Sequence, residues 1–298
     1  MLLIRSISKM RKSILIKNRI KLKDMKKLLL ISSLLILFQC VKGNDDFNNG
    51  YNPSEKLVLK DVSYGELPRQ KFNAYLPANR NKNTKAIILI HGGGWKSGDK
   101  SDFDLFASAF ADSAIAAFAI NYRYANTNDR VSYVEILKDI DKAISCIIDS
   151  SVTFSFNPKQ ICLLGHSAGA HLALLYTFRD NKKGVVNKVV SLAGPTDLTD
   201  PQLLNISGIN DLVNTLVGND LDKREDASPI NYAGEIPTYL YHGKADEVVP
   251  SQQSVKFFEK ISSRNPRNRC AIIEGCGHGF DLAEFIKILN ETVAFVKE

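Results

Sequence analysis

A serine flanked by small residues lies near the middle of the chain, in the pentapeptide GHSAG at residues 165–169. The pentapeptide follows an apolar run at Ile161 to Leu164 that predicts a strand, and it overlaps an apolar stretch at Ser167 to Thr177 that predicts a helix. Such a turn holds a serine hydroxyl above the end of a sheet, where the helix dipole favours developing negative charge. Small residues two before and two after the serine let the neighbouring backbone pack closely. Ser167 is therefore a candidate nucleophile.

Three consecutive glycines follow the predicted strand Ala86 to Ile90, in the loop HGGGW at residues 91–95. Backbone N–H groups approach a carbonyl oxygen to within about 3 Å only where side chains are absent, so this loop suits an oxyanion hole. We predict that the backbone N–H groups of Gly92, Gly93 and Ala168 form it. A phosphate-binding loop would instead carry GKS, GKT or GxGxxG, which this sequence does not contain.

A serine hydroxyl needs a histidine base at neutral pH, and the chain has five histidines. They are His91, His166, His171, His242 and His278. The first four belong to the glycine loop, the nucleophile segment or a strand end, and we expect His91 and His171 to be structural. The fifth lies in a late loop, GCGHG at residues 275–279, after a predicted strand. We therefore predict that His278 is the general base.

Two aspartates compete for the role of the carboxylate that orients the base. Asp246 lies in the loop HGKADEVVP at residues 242–250, after the predicted strand Thr238 to Tyr241. Asp197 follows an earlier strand in the sequence GPTD, where it also suits the cap of a turn or helix. The positions of the two residues in the sequence do not by themselves decide which aspartate orients the base.

The motifs HGGGW, KSGDK, NYRY, GHSAGAHLALL, HGKADEVVP and GCGHGF occur in this order, and together they resemble the α/β-hydrolase superfamily. The chain resembles bacterial serine esterases in particular, including the acetylxylan and feruloyl esterase group, over most of Leu57 to Val296. The resemblance implies a triad of Ser167, Asp246 and His278 in that chain order, and so favours Asp246 over Asp197 as the acid. It implies no metal and no cofactor.

Short β-rich runs alternate with helical patterns beyond residue 55, which predicts an α/β architecture. The candidate strands are Leu57 to Val62, Lys71 to Tyr75, Ala86 to Ile90, Ala114 to Asn121, Ile161 to Leu164, Val189 to Leu192, Thr238 to Tyr241 and Ala271 to Glu274. The candidate helices are Tyr133 to Ile148, Ser167 to Thr177, Gln252 to Ile261 and Leu282 to Val296. We expect the α/β-hydrolase fold, a mostly parallel twisted sheet of about eight strands with helices on both faces and an antiparallel pair at its start.

One catalytic domain is predicted over residues 55–298, after an N-terminal extension with a signal peptide at 1–39 and a polar tether at 40–54. Apolar residues at helical spacing within residues 197–233 predict a helix that either caps the site or covers the core. A cap of this size is smaller than a lipase lid, so we expect small acyl groups. Trp95 either lines the acyl side or packs under the glycine loop.

The chain of 298 residues is 44% hydrophobic and 24% charged, with a formal charge of +7. Residues 1–27 hold ten Lys/Arg and one Asp, which leaves residues 28–298 with a net charge of −2. The basic character belongs to the N-terminal extension, so we expect no nucleic-acid partner.

Two lysines precede an uncharged run at residues 28–38 that is too short to span a bilayer, as in an export signal that starts at Met25. The segment LFQC that ends at Cys40 resembles a bacterial lipobox, although a glutamine replaces the usual small residue before the cysteine. We predict lipidation of Cys40 and a lipoprotein that faces the periplasm or the cell exterior, with the lipid anchor as its membrane contact. Signal cleavage after Gly43, which would give a soluble secreted or periplasmic protein, is the alternative.

The other cysteines are Cys146, Cys162, Cys270 and Cys276. No CxxC or Cys/His spacing suggests a zinc site. Cys162 lies in a predicted strand and Cys146 in a predicted helix, so we expect small apolar core residues, with disulfide pairing as the alternative.

These features predict an exported serine esterase that hydrolyses small-acyl carboxylic esters through an acyl-enzyme. The expected substrate is a small-molecule ester or a carbohydrate that carries acetyl or feruloyl groups. Alternatives are a kynurenine-formamidase-like amidase, whose signature HGGGW also resembles, a peptidase of the same superfamily, and a noncatalytic surface-binding protein on a hydrolase scaffold. Export argues against the amidase, and the intact set of Ser167, Asp246 and His278 argues against a noncatalytic protein.

Overall fold

An eight-stranded sheet organises the part of the chain that the computed structural model describes, residues 51–298. Its strands are β1 Leu57–Ser63, β2 Lys71–Leu76, β3 Ala86–Ile90, β4 Ala116–Ile120, β5 Ile161–His166, β6 Val186–Leu192, β7 Thr238–Gly243 and β8 Arg269–Ile273. In space they follow the order β1-β2-β4-β3-β5-β6-β7-β8. Strand β2 pairs antiparallel with β1 and β4, and all other pairs are parallel. The predicted fold class, with an antiparallel pair at its start, is confirmed.

Every predicted strand is present, and its bounds differ from the prediction by three residues at most. The largest difference is in β6, which starts at Val186 rather than Val189. Strand β5 continues past Leu164 because His166 still pairs with Leu192 of β6. Apolar residues reveal where a strand exists, whereas pairing with its neighbours decides where it ends.

Helices connect the strands of the described residues. They are α1 Asp104–Asp112, α2 Tyr133–Asp149, α3 Ser151–Phe154, α4 Ala168–Leu175, α5 Pro201–Leu204, α6 Ile209–Val217, α7 Leu221–Asp226, α8 Gln252–Ile261 and α9 Leu282–Lys297. Short 3₁₀ turns at Lys100–Phe103 and Pro229–Asn231 and a π turn at Tyr176–Asp180 complete the set. The four predicted helices are present as α2, α4, α8 and α9. The sequence pattern does not reveal α1, because its apolar residues are not restricted to one face.

Helix α2 shows how local sequence sets a boundary. The Ser132 hydroxyl accepts the N–H of Val134, and the Glu135 carboxylate accepts the N–H of Ser132 at 3.1 Å. This reciprocal capping pairs N–H groups that a helix start otherwise leaves unpaired. Helix α2 therefore begins at Tyr133, as its apolar pattern predicts.

Both faces of the sheet are covered. Ile87 and Leu89 of β3 join a buried cluster with Phe110 of α1 and Phe295 of α9. Ile88 points to the opposite face because strand residues alternate, and it is also fully buried. Since β3, β5, β6, β7 and β8 are parallel, their C-terminal ends meet at one edge of the sheet, and the loops that follow carry the predicted site residues.

The predicted signal peptide, the lipidation site Cys40 and most of the tether lie outside the described residues. Within residues 51–298, no helix combines the length and the apolar character that a bilayer-spanning segment requires. The same residues contain no cluster of three or more His, Cys, Asp or Glu side chains suited to a metal ion. Cys162 and Cys276 are buried free thiols and Cys270 is a half-buried one, in keeping with core positions.

Candidate active site

Ser167 lies in the turn between β5 and α4, with a positive φ of 54° and a ψ of −122°. Its backbone N–H donates to the carbonyl oxygen of Leu192 at 2.8 Å. Non-glycine residues rarely adopt a positive φ, and the surrounding structure must hold them there. The structure thus places Ser167 in the strained strand-to-helix turn that the sequence predicts for a nucleophile.

The two glycines that flank Ser167 allow three elements to meet. A Cβ atom on Gly165 would lie 2.2 Å from the backbone carbon of Gly169, and one on Gly169 would lie 2.0 Å from the carbonyl oxygen of Ile90. These distances are far below van der Waals contact. Side chains here would therefore force α4 away from β3 and β5 and displace the serine.

Ser167, His278 and Asp246 form a continuous chain of hydrogen bonds. The Ser167 hydroxyl lies 2.8 Å from Nε2 of His278, and Nδ1 of His278 lies 2.8 Å from Oδ2 of Asp246. Because an ionised carboxylate only accepts, Nδ1 carries the proton and Nε2 accepts the serine hydroxyl. The structure thus brings together the three side chains predicted as nucleophile, base and acid.

A buried hydrogen-bond network keeps Asp246 ionised. Its Oδ1 accepts the N–H groups of Val248 and Val249 at 2.8 and 2.9 Å, and its Oδ2 also lies 3.1 Å from Nε2 of His242. Burial alone would raise the pKa of this carboxyl, but hydrogen bonds from His242, His278 and Val249 outweigh burial and lower the pKa well below its ordinary value. Asp246 therefore carries its negative charge beside His278 at neutral pH.

His242 belongs to this network, although sequence analysis did not assign it to the site. Its Nδ1 accepts the Ser254 hydroxyl at 2.7 Å, so its Nε2–H is shared between Asp246 and the carbonyl oxygen of Val249, at 3.1 and 2.8 Å. The available signal was its position four residues before Asp246, at the end of β7. His242 orients the Asp246 carboxylate and does not contact Ser167.

Asp197, the alternative acid, is engaged elsewhere. Its Oδ1 accepts the backbone N–H of Thr199 at 2.9 Å and the Thr199 hydroxyl at 2.6 Å. Its own backbone N–H donates to the side-chain oxygen of Gln253. Asp197 therefore caps a turn, and the carboxylate that contacts His278 is that of Asp246.

The side chain of His91 holds the glycine loop in place through a hydrogen bond. Nδ1 of His91 lies 2.8 Å from the carbonyl oxygen of Gly92, and Nη2 of Arg69 lies 3.1 Å from Nε2. Since the guanidinium only donates, Nε2 accepts and Nδ1–H donates to Gly92. Burial lowers the pKa of His91 to about 4, so the ring is neutral at pH 7. The peptide is trans and planar, which points the N–H of Gly93 away from this bonded carbonyl.

The predicted oxyanion donors lie around Ser167. A Cβ atom on Gly92 would lie 3.3 Å from Cβ of Ser167, so the glycine loop borders the nucleophile directly. Within residues 51–298, no group accepts a hydrogen bond from the backbone N–H of Gly92, Gly93 or Ala168. Ala168 is the first residue of α4, where N–H groups are unpaired and the helix dipole is positive. The arrangement is suited to binding a negatively charged oxygen.

The remaining histidines support the site. Nε2–H of His166 donates to the carbonyl oxygen of His278 at 2.9 Å, and burial lowers the pKa of His166. Nδ1 of His171 accepts the indole N–H of Trp95 at 3.2 Å, and its Nε2–H donates to the carbonyl oxygen of Ala227 at 2.7 Å. His91 and His171 therefore hold neighbouring segments in place and are fully buried, as the sequence analysis expects of structural histidines.

Two cavities border the site. The smaller one, ≈ 250 Å³, contains the nucleophile and is lined by Trp95, Ser167, Ala168, Ile209, Leu212 and His278, among others. Trp95 therefore lines this cavity, and it is buried with its indole N–H donated to His171. Ile209 and Leu212 of helix α6 line this cavity, while Val213, Leu216 and Val217 of the same helix are buried. The larger one, ≈ 400 Å³, is named here the phenylalanine cavity after Phe103, Phe106, Phe280 and Phe285 in its lining.

Two relatives show the range of proteins that this chain is similar to. A probable isoprenylcysteine alpha-carbonyl methylesterase of Oryza sativa subsp. japonica is 30% identical over 116 residues, or 39% of this chain and 27% of the relative. Kynurenine formamidase of Danio rerio is 29% identical over 123 residues, or 41% of this chain and 40% of the relative. The matched stretches thus span less than half the length of either relative.

Solved structures are similar over a larger share of the chain. A bifunctional GH43-CE protein of Bacteroides eggerthii has a TM-score of 0.71 at 24% sequence identity, over 82% of this chain and 38% of that one. A truncated carbohydrate esterase from gut microbiota has a TM-score of 0.67 at 20% identity, over 83% of this chain and 99% of that one. At these identities the similarity establishes the fold, which is that of the α/β-hydrolases.

A family model described as BD-FAE matches residues 72–261, which is more than half of the chain. The matched residues run from β2 to the end of α8, and they include the glycine loop, Ser167 and Asp246. His278 lies beyond the matched residues, in the loop after β8, and its Nε2 is within hydrogen-bonding distance of the Ser167 hydroxyl. By this match the chain belongs to the BD-FAE family.

Proposed function

We propose that this protein is a serine esterase that hydrolyses small-acyl carboxylic esters through an acyl-enzyme. The observation that carries the proposal is the hydrogen-bonded chain from the Ser167 hydroxyl through His278 to Asp246. A serine hydroxyl is a weak nucleophile at neutral pH, and a neutral histidine oriented by a carboxylate is the arrangement that activates it.

The geometry supports a two-step reaction. Oγ of Ser167 attacks the ester carbonyl carbon while Nε2 of His278 takes the hydroxyl proton, and the carbonyl oxygen becomes an oxyanion. The N–H groups of Gly92, Gly93 and Ala168 bind this oxyanion. When the bond to the alcohol breaks, His278 gives the proton to the leaving oxygen. A water molecule then loses a proton to the same nitrogen and attacks the acyl carbon. As the bond between the acyl carbon and Oγ breaks, His278 returns this proton to Oγ of Ser167 and the carboxylic acid is released.

The smaller cavity offers an apolar site for the acyl group. It measures ≈ 250 Å³, and its lining includes Ile209 and Leu212 of α6 together with Ser167. The ester linkage itself is supported by two relationships, since one relative is named a methylesterase and one similar structure a carbohydrate esterase. The substrate we propose is accordingly a small-molecule or carbohydrate ester, with acetyl and feruloyl esters as the first to be measured.

A formamidase is the second candidate, because the kynurenine formamidase of Danio rerio is similar to part of the chain. The same nucleophile and oxyanion donors would serve a formyl amide. The two candidates differ in the leaving group, which is an alcohol for an esterase and an amine for a formamidase. A direct comparison of N-formylkynurenine with ester substrates separates them.

The test is a substrate panel measured with the purified protein and with Ser167→Ala. The panel contains p-nitrophenyl esters from acetate to octanoate, acetylated xylo-oligosaccharides, a feruloyl ester and N-formylkynurenine. We expect the highest kcat/KM for acetate and a decline with chain length, and we expect Ser167→Ala to lose this activity. Faster turnover of N-formylkynurenine than of every ester would favour the formamidase, and no turnover of any compound would favour a noncatalytic protein or a peptidase.

We also propose that the protein is exported and carries a lipid on Cys40, a position outside the described residues. The support is the short apolar run at residues 28–38 that ends in LFQC. Intact-mass analysis of the exported protein tests this. A chain that begins at Cys40 with added acyl mass is expected, whereas an unmodified N-terminus at Asn44 would indicate ordinary signal cleavage.

A further inference from the structure

The imidazole of His166 presents an unused hydrogen-bond acceptor beside the nucleophile. Its Nε2–H donates to the carbonyl oxygen of His278 at 2.9 Å. Because a carbonyl oxygen only accepts, this bond fixes the tautomer that carries the proton on Nε2. Burial lowers the pKa of His166, so the ring is neutral at pH 7. Nδ1 therefore only accepts hydrogen bonds, and within residues 51–298 no group donates one to it.

This nitrogen borders the place where an ester reacts. A Cβ atom on Gly92 would lie 3.2 Å from Nδ1 of His166 and 3.3 Å from Cβ of Ser167. The ring centroids of His166 and His278 are 5.1 Å apart. His166 also lines both the smaller cavity and the phenylalanine cavity. A substrate that reacts with Ser167 therefore passes close to Nδ1, whichever cavity receives its acyl group.

An unused acceptor at this position discriminates between substrates. An acceptor that faces a cavity is hydrated until a substrate displaces the water. A substrate without a donor leaves the acceptor unpaired, whereas a substrate with a hydroxyl group replaces the lost hydrogen bond. An ester group contains only acceptors. The donor must therefore belong to another group of the substrate, close to the ester.

The wall of the phenylalanine cavity favours the same kind of ligand. Oδ2 of Asp102 accepts the backbone N–H of Asp99 at 2.9 Å, whereas no group of the described residues donates to its Oδ1. The Ser97 hydroxyl is engaged, because it donates to the carbonyl oxygen of Gly93 at 2.9 Å. The side chains of this wall that have a free polar atom, Asp102 and His166, thus both accept hydrogen bonds. A ligand that donates hydrogen bonds complements them.

We propose that Nδ1 of His166 is a specificity-determining acceptor, and that the preferred substrate is an ester with a hydroxyl group within a few bonds of the carbonyl carbon. The inference rests on the proposed esterase function and specifies its substrate class. The hydroxyl group donates to Nδ1 while Oγ of Ser167 attacks the carbonyl carbon. The alcohol part of a diol or polyol ester carries such a group, and so does a hydroxyacyl part. The experiment separates these two sources.

The test uses two pairs of esters in which a hydroxyl group replaces a methyl group of similar size. In 2-hydroxyethyl acetate and propyl acetate the two groups lie on the alcohol part. In methyl 3-hydroxypropanoate and methyl butanoate they lie on the acyl part. We measure the ratio of kcat/KM for the hydroxyl ester to that for its partner in the wild type and in His166→Gln. Differences in the intrinsic reactivity of the esters cancel in this comparison.

Glutamine retains one contact of His166 and removes the other. Its side chain runs through Cγ and Cδ to Nε2 as the ring runs through Cδ2, so its amide can still donate to His278, while no atom takes the position of Nδ1. The expected result is a fall of about tenfold in the ratio of at least one pair, which identifies the part of the substrate that carries the hydroxyl group. Wild-type ratios for both pairs in this variant would overturn the proposal.

Two further variants separate substrate recognition from support of the base. His166→Asn keeps an amide near the position of Nδ1 but does not reach the carbonyl oxygen of His278. Both esters of a pair should therefore react more slowly, while their ratio stays closer to that of the wild type. His171→Gln makes the same substitution as His166→Gln at a buried histidine that lines neither cavity, and its ratios should equal those of the wild type. An equal fall in His171→Gln would contradict a specific role of His166.

A binding measurement separates this inference from the proposed function and does not require His166→Gln to fold. Ser167→Ala is isotopically labelled at its histidine nitrogens, and the NMR resonance of His166 Nδ1 is followed as each of the four esters is added. A hydrogen bond to an unprotonated ring nitrogen moves its resonance, so a hydroxyl ester should shift it more than its methyl partner does. Equal shifts within both pairs contradict the acceptor role, whether or not esters are hydrolysed. Failure of the wild type to hydrolyse any ester contradicts the proposed function, and the resonance still shows whether Nδ1 accepts a hydrogen bond.

Discussion

Nδ1 of His91 lies 2.8 Å from the carbonyl oxygen of Gly92, so a side chain of the glycine loop orients the next peptide bond of the same loop. The bonded carbonyl faces the ring, and the N–H of Gly93 on the same trans peptide faces away from it. Arg69 fixes the tautomer of the ring through Nε2. The predicted oxyanion donor is thus positioned by two residues, neither of which is hydrogen-bonded to Ser167.

Replacement of His91 should impair turnover more than substrate binding. In His91→Phe the Gly92 carbonyl loses its donor, and we expect kcat to fall about tenfold or more with little change in KM, because an oxyanion donor acts mainly in the transition state. His91→Asn can still donate from its amide and should recover part of the loss. Steady-state kinetics on p-nitrophenyl acetate provide the measurement. An equal loss in both variants, parallel to a loss of folded protein, would indicate a purely structural role.

Ser167→Ala should abolish ester hydrolysis while the fold is retained. The change removes one oxygen atom from a position whose backbone is already held at a positive φ by its neighbours. Loss of the nucleophile lowers kcat by about 10⁴-fold or more in serine hydrolases that use a triad. We would measure kcat/KM together with the thermal midpoint. Wild-type turnover in this variant would assign the activity to another residue.

Substitution of the two aspartates should have very different effects. In Asp246→Asn the N–H groups of Val248 and Val249 retain the amide oxygen at the Oδ1 position, so an NH₂ donor replaces the Oδ2 that accepts the His278 Nδ1–H. We expect kcat to fall by about 10⁴-fold, because the wrong histidine tautomer becomes favoured. Asp197→Asn alters a capped turn and should leave kcat within about tenfold of the wild type. Both variants should bind substrate. The reverse order of effects would transfer the role of the acid to Asp197.

Stability should fall between pH 6.5 and pH 4. Burial lowers the pKa of His91 and of His171 from 6.5 to about 4 in the folded protein. Within this window the unfolded chain therefore binds more protons than the folded one. The free energy of unfolding has its full value above pH 6.5 and decreases as the pH falls toward 4. Each histidine should account for about 3 kcal/mol across the window.

Urea unfolding at several pH values checks this prediction. His171→Gln keeps an amide donor toward Ala227 but has no titrating group, so its pH slope in this window should be smaller than that of the wild type by up to one proton. The variant can be less stable at pH 7 without affecting the test. The comparison uses the slope of the free energy of unfolding against pH, not its value at one pH. A slope equal to that of the wild type would show that His171 titrates normally in the folded state.

Local sequence was sufficient to predict the strands, four helices and the strand-to-helix turn at Ser167. The alternation of apolar residues and the length of a segment indicate how that segment is buried. Gly165 and Gly169 indicate a close approach of backbones, because side chains there would overlap with neighbouring atoms. The alternation of strand and helix patterns predicted the α/β architecture, and the resemblance of the motifs to known hydrolases predicted the α/β-hydrolase fold. The catalytic roles of Ser167, Asp246 and His278 stay predictions that the experiments above test.

Contacts between distant segments were decided by the tertiary structure. The spacing of the residues did not decide whether Asp246 or Asp197 is the acid, and the resemblance to known hydrolases favoured Asp246. The structure separates them because β7 and β8 are neighbours, which places the loop after β7 against that of His278. Neither the contact of His242 with Asp246 nor the ring contact between Phe106 and Phe285 in the wall of the phenylalanine cavity gave a periodic signal. Sequence periodicity reflects the burial of each segment on its own, whereas these distances depend on which strands pair and how the helices pack across them.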